Sequence, residues 1–125
     1  MGDPGLEAFH QMGPIDGIKV LSSRMDGADA KTLRDAVDRF KDKLQSAVIV
    51  LGSVDDGKVR LAAGVTKNNV DRIQAGDVIR PVAEQVGGKG GGRPDFAQAG
   101  GVHPEALDAA LASVQAWVSE HLQQS

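Results

Sequence analysis

Cysteine is absent from this chain of 125 residues, and aromatic side chains make up only 3% of it. The first absence removes a disulfide framework, a thiolate nucleophile and any Cys-based zinc site, and nothing points to an oxidising compartment. The cytoplasm is the expected location. Long apolar runs are missing too: the longest, Ala47 to Leu51, is far shorter than the roughly 20 residues a helix needs to cross a bilayer. The N-terminus has no basic segment followed by a hydrophobic one, so no membrane or export role is expected. A large charge of either sign is also lacking, with 14 Lys and Arg against 17 Asp and Glu and a formal net charge of -3. This mild acidity excludes a basic nucleic-acid tail and makes long-range attraction to phosphate weak. What remains, 41% hydrophobic and 25% charged residues, suits one small packed domain.

Residues 1–13 combine Gly, Pro, charge and an apolar patch (Leu6, Phe9, Met12) without a sustained period. They read as a linker or the remnant of a preceding element, with the globular domain over 14–125. Gly17 to Ser22 alternates as a first strand, Ile18 and Val20 against Lys19 and Leu21. Asp29 can cap a helix on which Leu33, Val37, Phe40 and Leu44 form one stripe. Its other face carries Lys31, Arg34, Asp35, Asp38, Lys41 and Asp42. Such mixed signs read as a solvated surface rather than an RNA-facing ridge. Ala47 to Leu51 is apolar on both faces and predicts a central strand covered from both sides. Asp56-Gly57 signals a two-residue hairpin turn, because glycine reaches positive φ without steric conflict. The returning strand, Val59, Leu61, Ala63 and Val65 alternating with Lys58, Arg60 and Ala62, is expected to be buried on one face.

Thr66 to Gly76 suggests a short helical turn, and Asp77 can start a helix through Val86 with Pro81 in its first turn. Pro104 opens a final helix striped by Leu107, Leu111, Val114, Val118 and Leu122, preceded by a short strand at Phe96 to Gly100. The order predicts an α/β fold: a small mixed β-sheet with flanking helices.

No self-contained active site is legible. The three histidines, His10, His103 and His121, are scattered, none pairs with another at metal-ligand spacing, and no cysteine can supplement them. Gly52-Ser53-Val54 lacks the Gly-x-Ser-x-Gly spacing that a nucleophile elbow requires. The distinctive stretch is Gly87 to Gly101, within the chain's 16 glycines. Lys89 is followed by Gly90 rather than Ser or Thr, and the third glycine of a dinucleotide fingerprint would fall on Arg93. Those departures argue against a triphosphate or NAD loop. A glycine backbone at Gly88, Gly90, Gly91 and Gly92, flanked by the cations Lys89 and Arg93, could instead turn N–H groups toward a phosphate or a ribose-phosphate backbone. Alternatively the glycines serve only a tight turn, with Arg93 paired to Asp95. Asp95 and Gln98, on a run of small residues, suggest that the backbone of Ala97 to Gly101 packs closely against such a guest, with Arg60 or Lys58 as flanking cations. Phe96, the only aromatic near the loop, offers a place for one exposed base but no platform of several rings.

GGKGGGRPDFAQAGG followed by a Pro-initiated helix, LDAALASVQAWV, resembles the end of alanyl-tRNA synthetases, the C-Ala domain, whose fold is of the DHH-associated class. The likeness extends upstream through Lys31-Thr32-Leu33-Arg34-Asp35, SAVIVLGSVDDGKVRLAAGVTKN and AGDVIRPVAEQVGG. The resemblance implies a noncatalytic domain that binds the tRNA elbow, where the D and T loops meet, and links aminoacylation with editing. ATP, magnesium and zinc would then serve only other domains of the parent ligase, and no cofactor is expected in this piece. Its expected partners are alanine-specific tRNA and those other domains; a homodimer stays open. The resemblance also implies an excised domain, since the catalytic core, the editing motifs of His and Cys and most of the preceding helical part are missing. A second class stays open, the substrate-binding domain of a DHH phosphoesterase, although such enzymes generally carry His directly after the glycines, where this chain has Arg93-Pro94-Asp95.

Overall fold

The computed structural model describes residues 10–11 and 17–124. Its elements in chain order are β1 (His10–Gln11), β2 (Lys19–Arg24), α1 (Ala30–Leu44), β3 (Ala47–Asp55), β4 (Lys58–Val65), a 3-10 turn (Lys67–Asn69), α2 (Ala75–Gln85), β5 (Gly90–Gly92), β6 (Phe96–Gly101), a second 3-10 turn (Pro104–Ala106), α3 (Leu107–Ala112) and α4 (Val114–Gln124). The six strands form one sheet in the order β1-β2-β3-β4-β6-β5. Only β2 and β3, joined through α1, run parallel; every other pair is antiparallel.

The two-residue period of β3 divides the core. Val48 and Val50 pack toward α2, α3 and α4, while Ala47, Ile49 and Leu51 pack toward α1. All five are fully buried, and each large one contributes on the order of 2 kcal/mol through apolar burial. On the α1 side, Leu33, Ala36 and Val37 meet Leu21, Ala62 and Phe96. On the other, Leu107, Leu111, Val114, Val118 and Leu122 join Val78, Ile79 and Val82. The result is helix, sheet, helix in three layers, as the doubly apolar β3 requires.

Local signals place the boundaries. The Asp29 carboxylate accepts the Thr32 backbone N–H at 2.8 Å and caps α1. That bond holds the Asp29 carboxyl below its ordinary pKa. Asp56 and Gly57 both take positive φ, 53° and 75°, and this primed turn sets the β3–β4 register from Asp55 opposite Lys58 onward. Arg24, at the end of β2, pairs with Asp26 at 2.7 Å and with Asp108 of α3 at 3.0 Å, fastening the sheet to the helical layer.

Four expectations are corrected. The first strand runs two residues further than its alternation suggested, and Leu21 is buried under α1 instead of facing outward with Lys19. Likewise β4 is buried on both faces from Leu61 to Val65, because α1 covers Ala62. Helix α2 begins at Ala75, so Pro81 stands inside it rather than in its first turn. The final helix is broken: Ser113 turns between α3 and α4, donating its hydroxyl to the Ala110 carbonyl at 2.7 Å and accepting from Gln85 of α2 at 2.9 Å. Within the stretch read as a linker or the remnant of a preceding element, His10 and Gln11 pair with Ser22 and Leu21 of β2. The rest of 1–16 lies outside the described residues.

Candidate nucleic-acid interface

The glycine segment is an edge hairpin rather than an open cradle. Gly90, Gly91 and Gly92 form β5 and pair with Ala99, Gln98 and Ala97 of β6. Their absent side chains permit close approach. A Cβ on Gly88 would run into the Gly100 carbonyl, one on Gly90 would meet the Ala99 Cβ and, at 2.9 Å, the Gln98 carbonyl oxygen, and one on Gly92 would lie 2.6 Å from the Phe96 carbonyl oxygen. Gly88, Gly90 and Gly91 are not among the glycines at positive φ. The backbone of the segment is thus drawn into pairing between β5 and β6, with β5 at the edge of the sheet.

What the hairpin does create is an open patch of sheet. In antiparallel pairs, residues directly opposite share a face. Ala62 lies opposite Gln98, Arg60 opposite Gly100, and Gly91 opposite Gln98, so Arg60, Gln98 and Gly91 lie on the side of the sheet that α1 covers further along. Helix α1 packs over Leu21, Ile49, Leu51, Ala62 and Phe96 and leaves Gln98 exposed. Two adjoining hollows open there. One, about 310 Å³, is lined by Arg34, Gly91, Gly92, Arg93, Phe96 and Gln98. The other, about 220 Å³, is lined by Ala30, Arg60, Leu61, Gln98 and Ala99.

Three arginines, from α1, from β4 and from the turn between β5 and β6, rim this patch. Arg34 projects from α1 and sets its guanidinium over the Phe96 ring, 5.1 Å from the centroid. Arg60 of β4 approaches Asp55 at 3.4 Å, and Arg93 approaches Asp95 at 3.8 Å. Exposed pairs of that length are worth at most about 1 kcal/mol and exchange readily for another anion. The Arg93–Asp95 pairing of the tight-turn alternative is thus present, with Arg93 still two-thirds exposed (67%).

The predicted site residues separate into four placements. Gly91, Gly92, Arg93 and Gln98 line one hollow. Gly88 and Gly90 are packing positions between backbones. Lys89 is exposed at the entry to β5, outside that lining. Asp95 borders a different cleft, about 620 Å³, with Asp38, Lys41, Asp42, Lys67 and Asn68; its backbone carbonyl accepts the Lys41 ammonium at 2.6 Å. Burial pushes Lys41 below the ordinary lysine pKa, against the opposing pull of Asp95 and Asp38. Phe96 is not available as a bare stacking surface: it is 8% exposed and capped by Arg34. Sequence reasoning passed over Arg34 as one charge on a solvated helix face. Its only signal was its place beside Leu33 at the border of the apolar stripe. Among the described residues no three His, Asp or Glu side chains gather as a metal-binding group, and no helix is long and apolar enough to cross a membrane.

Comparison with known proteins agrees with this architecture. The DHHA1 domain family model matches residues 17–120. Alanine–tRNA ligase of Ralstonia nicotianae is 60% identical over 116 residues, covering 93% of this chain, and that of Albidiferax ferrireducens is 58% identical over 118 residues, covering 94%. The chain spans only 13–14% of the length of these relatives. The crystal structure of the C-Ala domain from Aquifex aeolicus alanyl-tRNA synthetase superposes with a TM-score of 0.76 at 27% identity, over 90% of this chain and 96% of that one. A DHH-domain member of the s1p family of ribosomal proteins shares the fold alone, with a TM-score of 0.62 at 12% identity over 93% of this chain and 29% of that one. With the family model matched over nearly the whole described chain, and the likeness to C-Ala present in both sequence and fold, this chain belongs to the DHHA1 domain family and is of the C-Ala type found in alanyl-tRNA synthetases.

Proposed function

We propose that this domain is a noncatalytic grip on tRNA, holding the elbow of alanine-specific tRNA while other domains of a parent alanine–tRNA ligase act on the acceptor end. The observation that carries this reading is the open patch around Gln98, rimmed by Arg34, Arg60 and Arg93 on a chain whose net charge is -3. Concentrating cations at one place lets a mildly acidic domain meet phosphates without attracting nucleic acid everywhere. Arg93, Gln98 and the backbone of Gly91 and Gly92 form the centre of the proposed surface, with Lys89 as an outlying cation.

A few such contacts give weak binding in isolation. Within the parent ligase, the tRNA is already held by its acceptor end, and the elbow then meets this domain at an effective concentration on the order of mM. Weak contact suffices under that condition. The test is to delete the domain from the parent ligase and measure aminoacylation of full-length tRNA and of a minihelix that lacks the elbow. The expected result is a raised KM for tRNA with the minihelix unaffected. Equal losses on both substrates would mean that the domain acts on catalysis or assembly and not on the elbow.

A further inference from the structure

The patch contains more than cations. Arg34 is the only one of its three arginines held over an aromatic ring, and that ring belongs to Phe96, buried at the edge of the α1 core. A guanidinium is a planar, weakly hydrated cation that stacks on π-systems through its faces, and one already held against a ring gives up little further freedom when a second flat group lands on it. Directly across the strand pair stands Gly91, opposite Gln98. A Cβ at Gly91 would meet nothing within 4 Å, so the space above β5 there is open. Gln98 is exposed beside it and carries an amide with both donor and acceptor groups. Flanking both are Arg60 and Arg93, each joined to a carboxylate only by a long exposed pair. Stacking surface, open space, amide and lateral cations are together the requirements of one unpaired RNA base with its own phosphates.

We propose that an unpaired base of the bound RNA stacks on the Arg34 guanidinium, in the order Phe96, Arg34, base, while the Gln98 amide hydrogen-bonds the edge of that base and Arg60 and Arg93 hold the neighbouring phosphates. The inference rests on the tRNA-binding reading above and deepens it: Arg34 acts through its plane and not only its charge. Gly91 matters because its missing side chain leaves room for the base.

The experiment measures binding of an alanine-specific tRNA transcript to the 125-residue chain by fluorescence anisotropy at two salt concentrations, with thermal melting of every variant. Arg34→Lys keeps the charge and removes the plane, and Gly91→Leu fills the open space. Both are expected to weaken binding about tenfold, within the range observed when a base loses its stacking partner. Arg34→Lys should leave the salt dependence as in the wild type, and both variants should melt within a few degrees of it. Wild-type affinity for Arg34→Lys, with a loss and a shallower salt slope confined to Arg34→Gln, would make Arg34 a phosphate contact and overturn the base shelf. Wild-type affinity for a folded Gly91→Leu would overturn it independently. Absence of saturable tRNA binding by the wild-type chain would overturn the tRNA-binding reading together with the shelf, whereas binding that both variants leave intact would overturn the shelf alone.

Discussion

Alanine substitutions along the glycine segment separate a packing role from an anion-cradling one, because the structure assigns neighbouring glycines opposite outcomes. At Gly88 the added methyl runs into the Gly100 carbonyl, with the Gly101 Cα at 2.8 Å. Every atom in that encounter is backbone, so no side chain can rotate away and the β5–β6 hairpin must shift against the end of α2. Overpacking of this kind costs roughly 1–3 kcal/mol. In a domain of this size about 4 °C of melting temperature is lost per kcal/mol, so Gly88→Ala should melt ~4–12 °C below the wild type. Gly90→Ala, with Ala99 and the Gln98 carbonyl in the way, belongs to the same class. Gly91 has the opposite environment: its Cβ would be in open space and its φ is not positive. Alanine there narrows the unfolded ensemble without strain and should leave stability unchanged or raise it by up to about 1 kcal/mol. Circular-dichroism melts of the three variants read this directly. A Gly88→Ala variant that melts with the wild type, or a Gly91→Ala variant that falls as far as Gly88→Ala, would refute the claim that these glycines are there for the approach of β5 to β6.

Other expectations follow from the same geometry. With Arg60, Arg93 and the outlying Lys89 engaging phosphate, log affinity for tRNA should fall against log salt with a slope of about -2 to -3, and Arg93→Ala should reduce that slope by roughly 0.7–0.9; titrations at several salt concentrations measure both, and an unchanged slope would remove Arg93 from the interface. The Asp26 carboxyl is held below its ordinary value of 3.8, chiefly by its bond from Arg24 and also by the Val54 N–H, against the opposing effect of burial. Because its folded-state pKa is the lower one, its stabilisation is present above pH 3.8 and fades as the pH falls through the folded value. Asp26→Asn should therefore lower the melting temperature at neutral pH, and the gap should narrow in melts below pH 3.8; a constant gap would remove ionisation from the explanation. Leu33→Ala empties a fully buried site under α1 and should cost about 2–5 kcal/mol in urea unfolding, whereas Val102→Ser, at a position 62% exposed, should change stability by less than about 0.5 kcal/mol.

Much of the fold is determined locally and was legible for that reason. The Asp29 cap, the stripe of Leu33 and Val37, the doubly apolar β3 and the Asp56-Gly57 turn each act within a few residues of themselves, and each element stands where its own sequence puts it. Family membership was legible too, since the ordered match runs through most of the chain. Boundaries that depend on distant partners were not. The break at Ser113 is held by Gln85 of another helix, β4 is covered on both faces because α1 crosses Ala62, and β1 is defined only by its pairing with β2.

The candidate site shows the same division. Sequence alone singled out the glycine segment as unusual and placed Arg93, Gln98, Gly91 and Gly92 within it, because composition and spacing are visible one residue at a time. It could not tell a glycine that bends from a glycine that lets two backbones meet; that difference depends on β6, which arrives only when the hairpin closes. Nor could it bring Arg34 to Phe96, 62 residues away in the chain. Helical periodicity specifies which side of α1 is apolar, but only the packing of α1 on the sheet decides which of its charges stands over an aromatic ring beside an uncovered stretch of β-strand.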